Sequence, residues 1–141
     1  MAVLTAAGAK QILRERFAPW IQDLGLEFDS IEPGRIRIRL PYSDRLARSG
    51  GMICGQALMA VADTGMVLAV AAGAGQFVEM ATVGQTTSFF RAAPGSDLIC
   101  EIRVIRQGRT LAFGEAVVTA PDRPNDPVAQ ASVTYAMAPP K

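Results

Sequence analysis

The longest apolar run in the chain lies between Met52 and Ala74 and reads MICGQALMAVADTGMVLAVAAGA. It predicts a helix starting near Gly55 and running about 20 residues, roughly 30 Å at 1.5 Å per residue. Its apolar positions fall on nearly every face, so neighbouring elements must wrap it rather than cover one side. Ala57, Ala60, Ala62, Gly65, Ala69 and Ala72 recur along it, and such small side chains let adjacent backbone come close. One carboxylate, Asp63, interrupts the run near its middle. An ionised carboxylate in apolar surroundings is costly unless it is paired or used, which makes Asp63 the first candidate for chemistry.

Elsewhere the pattern is shorter in period or shorter in length. From Thr5 to Phe17, Ile12, Leu13 and Phe17 recur at helical spacing with Lys10, Arg14 and Glu15 on the wet side, which predicts an amphipathic helix ended by Pro19. Trp20, Ile21, Leu24 and Leu26 then anchor the exit. Phe28 to Ile31 and Arg35 to Leu40 read as two strands about a Pro33-Gly34 turn. In the second, Ile36, Ile38 and Leu40 alternate with Arg35, Arg37 and Arg39, a basic stripe expected to be a solvated sheet face. Asp44 to Gly51 is a polar loop into the long helix, and Gly73 and Gly75 break that helix. Four further extended segments follow, Thr82 to Arg91, Leu98 to Arg106, Thr110 to Thr119 and Val128 to Met137, separated by Pro94-Gly95, Gln107-Gly108 and Pro121 to Pro127. Helix, two strands, long helix, four strands is the order of an α+β fold, an antiparallel sheet with its helices on one face and curled around the long one. No repeat or linker divides residues 1–141, so one domain is expected, with 1–24 as its N-terminal helix and lead-in.

Composition narrows the chemistry. The chain is 50% hydrophobic over 141 residues, enough for a real core. Its net charge of +1, without runs of one sign, points to neither nucleic acid nor a membrane surface. Gln56, Asp63 and Thr64 also argue against a membrane-spanning reading of the long helix. Cys54 and Cys100 lack metal-ligand spacing and are expected to be reduced thiols of a cytoplasmic protein, the N-terminus having no signal-peptide pattern. Histidine is absent. Ser-His-Asp and Cys-His hydrolysis and histidine-ligated zinc are thereby excluded as chemistry of this chain, which leaves Asp or Glu as its ordinary general base.

Three stretches carry a family resemblance. CGQALMAVADT is similar to the HGGxLxxLADT motif of hotdog-fold acyl-CoA thioesterases of the PaaI-like, phenylacetic-acid-degradation branch. TVGQTTSFFRAAPG resembles that family's strand ending in a Pro-Gly turn, and RVIRQGRTL its following hairpin. The likeness covers about Arg35 to Met137. It implies a hotdog fold, hydrolysis of an acyl-CoA thioester without metal or redox cofactor, and a homodimer or dimer of dimers with sheets joined edge to edge. Matched residue by residue, Asp63 is the carboxylate that acts as general base or nucleophile and Gly55 the glycine whose N–H polarises the thioester carbonyl. Helix geometry agrees with the second role, because a helix start offers unpaired N–H groups and partial positive charge to an oxyanion. Asp63 lies two turns on, about 12 Å of rise. The two therefore cannot act on one carbonyl within one chain, and the resemblance implies that each site takes Gly55 from one subunit and Asp63 from the other.

This chain departs from the family pattern where Cys54 replaces the histidine, Gln56 the second glycine and Arg48 the loop asparagine. Cys54 at a helix start is a second candidate nucleophile, since such thiols can have a lowered pKa. Gln56 and Thr82 are expected as polar neighbours of the carboxylate. Arg91, Arg106 and Arg109 are candidates for the phosphates of coenzyme A, which guanidinium forks suit. Met59, Met66 and Phe89 or Phe90 are expected to line the acyl pocket. Asp63 held structurally by a hydroxyl such as that of Thr64 would produce the same pattern. The alternative function is a non-catalytic acyl-CoA-binding hotdog protein; a hotdog dehydratase is disfavoured by the missing histidine.

Overall fold

The structure, a computed structural model, describes residues 4–138. Helix α1 spans Ala6–Arg16, capped by Thr5, whose Oγ1 accepts the N–H of Gly8 at 3.0 Å. That bond satisfies one of the donors a helix start leaves unpaired. Ala9, Ile12 and Leu13 form its buried side. Pro19 does not end this helix, which stops at Arg16; it opens a single-turn helix, α2, Pro19–Gln22. Proline's fixed φ and missing N–H suit a first helical position as well as they break an interior one. Ile21, Leu24 and Leu26 are buried below it, while Trp20 remains 60% exposed.

Six strands follow the predicted ones within two residues at each end: β1 Glu27–Glu32, β2 Arg35–Leu40, β3 Met80–Phe89, β4 Leu98–Gln107, β5 Leu111–Thr119 and β6 Ala129–Met137. They form one antiparallel sheet in the order β1-β2-β4-β5-β6-β3. The 20-residue helix α3, Gly55–Ala74, lies against its inner face. This is the hotdog arrangement. Gly73 lies within the last turn of α3, and Gly75 ends it at φ +76°, its N–H bonded to the Ala71 carbonyl at 2.8 Å. A left-handed residue there is the ordinary glycine cap.

Alternation along the strands supplies the wrap. Ile36, Ile38 and Leu40 of β2, Leu98, Cys100 and Ile102 of β4, and Val133 and Tyr135 of β6 are all buried. Ala112, Gly114 and Ala116 keep β5 low, and a Cβ at Gly114 would crowd Met66 and stand 2.9 Å from the Arg103 carbonyl oxygen. Gly65 makes the matching concession on α3, where a Cβ would run into Ile102 and approach Ile38 to 3.1 Å. On the outer face the arginine stripe is solvated and ion-paired, Arg37 to Glu101 at 2.8 Å and Arg39 to Asp29 at 3.2 Å. Such exposed pairs contribute little to stability.

Two features position the site. No residue of the edge strand β3 is buried, and Val83, at a bulge between Thr82 and Gly84, is 63% exposed. The wrap around α3 also leaves a stripe open at helical spacing, with Gln56 and Met59 exposed and Asp63 half-buried. Replacing Gly114 with alanine is expected to destabilise the fold by about 1–3 kcal/mol, because the Arg103 carbonyl belongs to a paired strand and cannot retreat. Urea denaturation at fixed protein concentration measures this.

Candidate active site

Asp63 points from the open stripe of α3 toward the end of the sheet where β3 and β6 pair, Thr82 opposite Tyr135. Its Oδ1 accepts the Thr82 hydroxyl at 2.8 Å and the Tyr135 hydroxyl at 2.5 Å. The same Tyr135 oxygen lies 2.8 Å from the main-chain carbonyl of Asp63. Among the described residues no donor reaches Oδ2 and no cation pairs with the carboxylate. Thr64 is buried and takes no part. Burial first, then the bond to Asp63, push the Tyr135 hydroxyl well above the usual phenol range, so tyrosine acts here as a donor that keeps its proton.

The carboxylate lines one cleft, and its two hydroxyl partners line another. One, of about 250 Å³, is lined by Trp20, Gln56, Met59, Ala60, Asp63 and Gln85. The other, of about 430 Å³, holds the Thr82 and Tyr135 side of the pair and is walled by Phe17, Val67, Phe77 and Met80. Arg16 closes that cleft, stacked 4.5 Å over Phe77 and paired with Glu79 at 3.1 Å. Gln85 ties the edge strand to the helix by donating to the Met59 carbonyl at 3.2 Å and to Thr87 at 3.1 Å.

A third cleft, of about 290 Å³, opens at the start of α3, where Arg48, Gly55, Phe89 and Arg91 meet. Cys54 is the N-cap and its side chain makes no capping bond, so among the described residues the first N–H groups of α3 have no side-chain partner. Phe89 packs over Gly55 so closely that a Cβ there would stand 3.1 Å from its ring. Arg91 donates to the Asp126 carbonyl at 2.9 Å. Its buried Nε lies 3.5 Å from the Asp126 carboxylate without the geometry of a hydrogen bond.

The expected site residues thus fall into three groups. Asp63 and Thr82 are joined by a hydrogen bond and Gln56 shares a cleft with Asp63; Gly55, Arg48 and Arg91 share the cleft at the helix start, with Cys54 beside it. Arg106 and Arg109 lie at the β4–β5 hairpin, the far end of the sheet from Arg91, because Gln107 pairs with Ala112 whereas the Arg91 end continues from Phe89 opposite Ala129. At about 3.3 Å per residue that separates them by more than 20 Å within one chain. Met59, Met66 and Phe89 do not line one pocket: Met66 is fully enclosed under Gly114 on another face of the helix, Met59 lines the cleft beside Asp63, and Phe89 lines the one at the helix start. Tyr135 is the residue the pattern held without being singled out. It occupies an inward position of β6 between Val133 and Met137, and a buried tyrosine hydroxyl needs a polar partner; Asp63 is the carboxylate of the enclosed helix.

A family model of the thioesterase superfamily matches residues 50–125. A protein of Halobacterium salinarum that carries the provisional name of an esterase is 32% identical over 103 residues, 70% of this chain and 68% of its own. A provisionally named thioesterase from Silicibacter sp. TM1040 superposes with a TM-score of 0.84 at 31% identity, covering 99% of this chain and 95% of that one. The PaaI protein of the Escherichia coli phenylacetic acid degradation operon superposes at 0.78 with 16% identity, over 94% and 93%. A hypothetical thioesterase from Streptococcus pneumoniae TIGR4, solved with coenzyme A, does so at 0.73 with 16% identity, over 82% and 88%.

The two thiols differ sharply in environment. Cys100 is 2% exposed, and burial, with Glu101 adjacent, pushes its thiol up to about 12. Cys54 is half-buried at the rim of the helix start. The thiolate is the reactive form, so iodoacetamide at pH near 8 is expected to label the folded protein at Cys54 alone and the urea-unfolded protein at both, read by peptide mass spectrometry.

Proposed function

The chain belongs to the thioesterase superfamily, and from that premise we propose that it hydrolyses an acyl-CoA thioester to the free acid and coenzyme A. The observation that carries this reading is the state of Asp63. A carboxylate on a largely enclosed helix is held at one oxygen by two hydroxyls and lines a cleft, and among the described residues no donor takes its other oxygen. That is what a general base for water requires: placement, an available lone pair and no cation to hold its charge.

In this mechanism water adds to the thioester carbonyl carbon while its proton passes to Asp63. The carbonyl oxygen becomes an oxyanion held by the Gly55 N–H, where the unpaired donors and dipole of a helix start favour negative charge. The carbon–sulfur bond then breaks and the sulfur of coenzyme A leaves with the proton. Direct attack by Asp63, followed by hydrolysis of the anhydride, uses the same two groups. Thr82 orients the carboxylate, and Gln56 lines the approach.

Gly55 and Asp63 are two turns apart on one helix, so a complete site needs a second copy. The exposed edge β3 supports the way to supply it. A ten-residue edge strand, paired with β6 on one side only, is a template for another strand, and antiparallel pairing of two β3 edges about a twofold axis would set the Thr82 end of one beside the Phe89 end of the other. Asp63 of one subunit then meets Gly55, Arg48 and Arg91 of the partner. Arg91, in the cleft with Gly55, is the candidate for the phosphates of coenzyme A; Arg106 and Arg109 could join it only from the other subunit. The acyl group would take the cleft walled by Phe17, Phe77, Val67 and Met80.

Release of free coenzyme A from short, medium, long and aryl acyl-CoAs, read by mass spectrometry, tests the reading. Asp63→Asn is expected to lower turnover at least 100-fold, about 2.7 kcal/mol of barrier; undiminished turnover would transfer the role to Cys54. Saturable binding of acyl-CoA with no product from any member would favour a non-catalytic binding protein. Gly55→Pro deletes the N–H at a first helical position, which suits proline's backbone, with the Phe89 ring obliged to shift to admit the ring of proline. Each variant alone is expected to be inactive, and a mixture refolded together is expected to regain activity through hybrid dimers with one intact site. Persistent inactivity in mixtures shown to contain hybrids would sink the shared site.

A further inference from the structure

We infer that Tyr135 is the positioning residue for Asp63, pinning Oδ1 so that Oδ2 is the oxygen that receives the proton from the attacking water. The inference rests on the reading of Asp63 as the base and goes beyond it to the group that aims it. Tyr135 is 3% exposed, and its hydroxyl touches two atoms of one residue, Oδ1 at 2.5 Å and the main-chain carbonyl at 2.8 Å. Two oxygens at 2.5 Å need a proton between them, and the tyrosine supplies it.

Contact with both the side chain and the backbone of Asp63 ties the carboxylate's torsion to the axis of α3. Thr82, arriving from β3 at 2.8 Å, gives Oδ1 its second donor. With Oδ1 occupied twice, the free lone pairs in the plane of the carboxylate belong to Oδ2. During the reaction Tyr135 neither gains nor loses a proton: water's proton goes to Oδ2 and leaves with the sulfur. The charged groups around the cleft are already engaged. Arg16 pairs with Glu79 at 3.1 Å and Gln11 donates to Glu15 at 2.9 Å; on the far side, Gln56 and Gln85 are neutral.

Removing a donor from an ionised carboxylate disfavours its charged form, and freeing its torsion spoils the approach of water. Tyr135→Phe keeps the ring and its packing. It is expected to lower kcat about tenfold with KM within about twofold, and to move the acid limb of the kcat/KM profile upward by roughly half a pH unit or more. A merely structural tyrosine would change thermal stability without moving that limb. As a second measurement, the protein has two tyrosines, and Tyr42 bonds Asp44, outside the cleft. With Tyr42→Phe and tyrosine labelled with carbon-13 at Cζ, the single resonance is expected to titrate with the midpoint of the acid limb. An unmoved limb with kcat within about twofold of wild type, or a resonance flat through that midpoint, overturns the inference. Full turnover in Asp63→Asn removes the reading beneath it; lost turnover there, with an unmoved limb in Tyr135→Phe, overturns the inference alone.

Discussion

Enclosing α3 is the constraint on which the rest of the molecule depends. Leu58, Val61, Met66, Leu68 and Val70 are each nearly or wholly buried, and each contributes about 1.5–3 kcal/mol by leaving water. A surface helix needs cover on one side only; this one demands a sheet that bends around it. Bending brings strands close, and the small residues Gly65, Ala112, Gly114 and Ala116 are where closeness is accommodated. Six strands cover most of the circumference. The uncovered stripe of Gln56, Met59 and Asp63 faces the edge strand, so an opening in the wrap coincides with the carboxylate.

The chain treats its carboxylates in two ways. Asp29, Asp97 and Glu101, on the outer face of the sheet, are met by Arg35, Arg37 and Arg39. Asp63, on the inner side, is met by hydroxyls. A guanidinium brings a counter-charge to a carboxylate; hydroxyls orient it and bring none. The aromatic and methionine walls nearby, Phe17, Phe77 and Met80, add apolar surface without offering a counter-charge. The sheet's outer face thus pairs charge with charge, whereas Asp63 is held by hydroxyls alone.

Much of this could be seen in the residues themselves. The period-two alternation of β2 and the length of the apolar run specify strand and helix directly, and the run's lack of a polar side requires the curled sheet. Asp63 was legible because a carboxylate inside such a run violates the pattern around it. Tyr135 was not, since its significance depends on which strand lies opposite which helix turn, and sheet order is a long-range property. Arg106 and Arg109 looked equivalent to Arg91 for the same reason; only register places them at opposite ends. Met66 failed as a pocket residue because a helix apolar all round does not declare which side faces the cleft. Pro19 misled because proline both ends helices and begins them, and only the preceding stop at Arg16 decides.

The order of strands carries a consequence for how the protein is made. β3 follows α3 directly in the chain, yet its neighbour in the sheet is β6, the last strand, with Met80 opposite Met137 and Phe89 opposite Ala129. During vectorial synthesis β3 emerges long before its partner and waits unpaired while β4 and β5 are built. Closing so long a loop is slow and entropically costly. Until β6 docks, Asp63 lacks its tyrosine and the strand that presents Thr82 is not held. Synthesis of β6 is therefore a checkpoint: before it, the chain has neither the tyrosine that holds Asp63 nor the strand that supports the β3 edge.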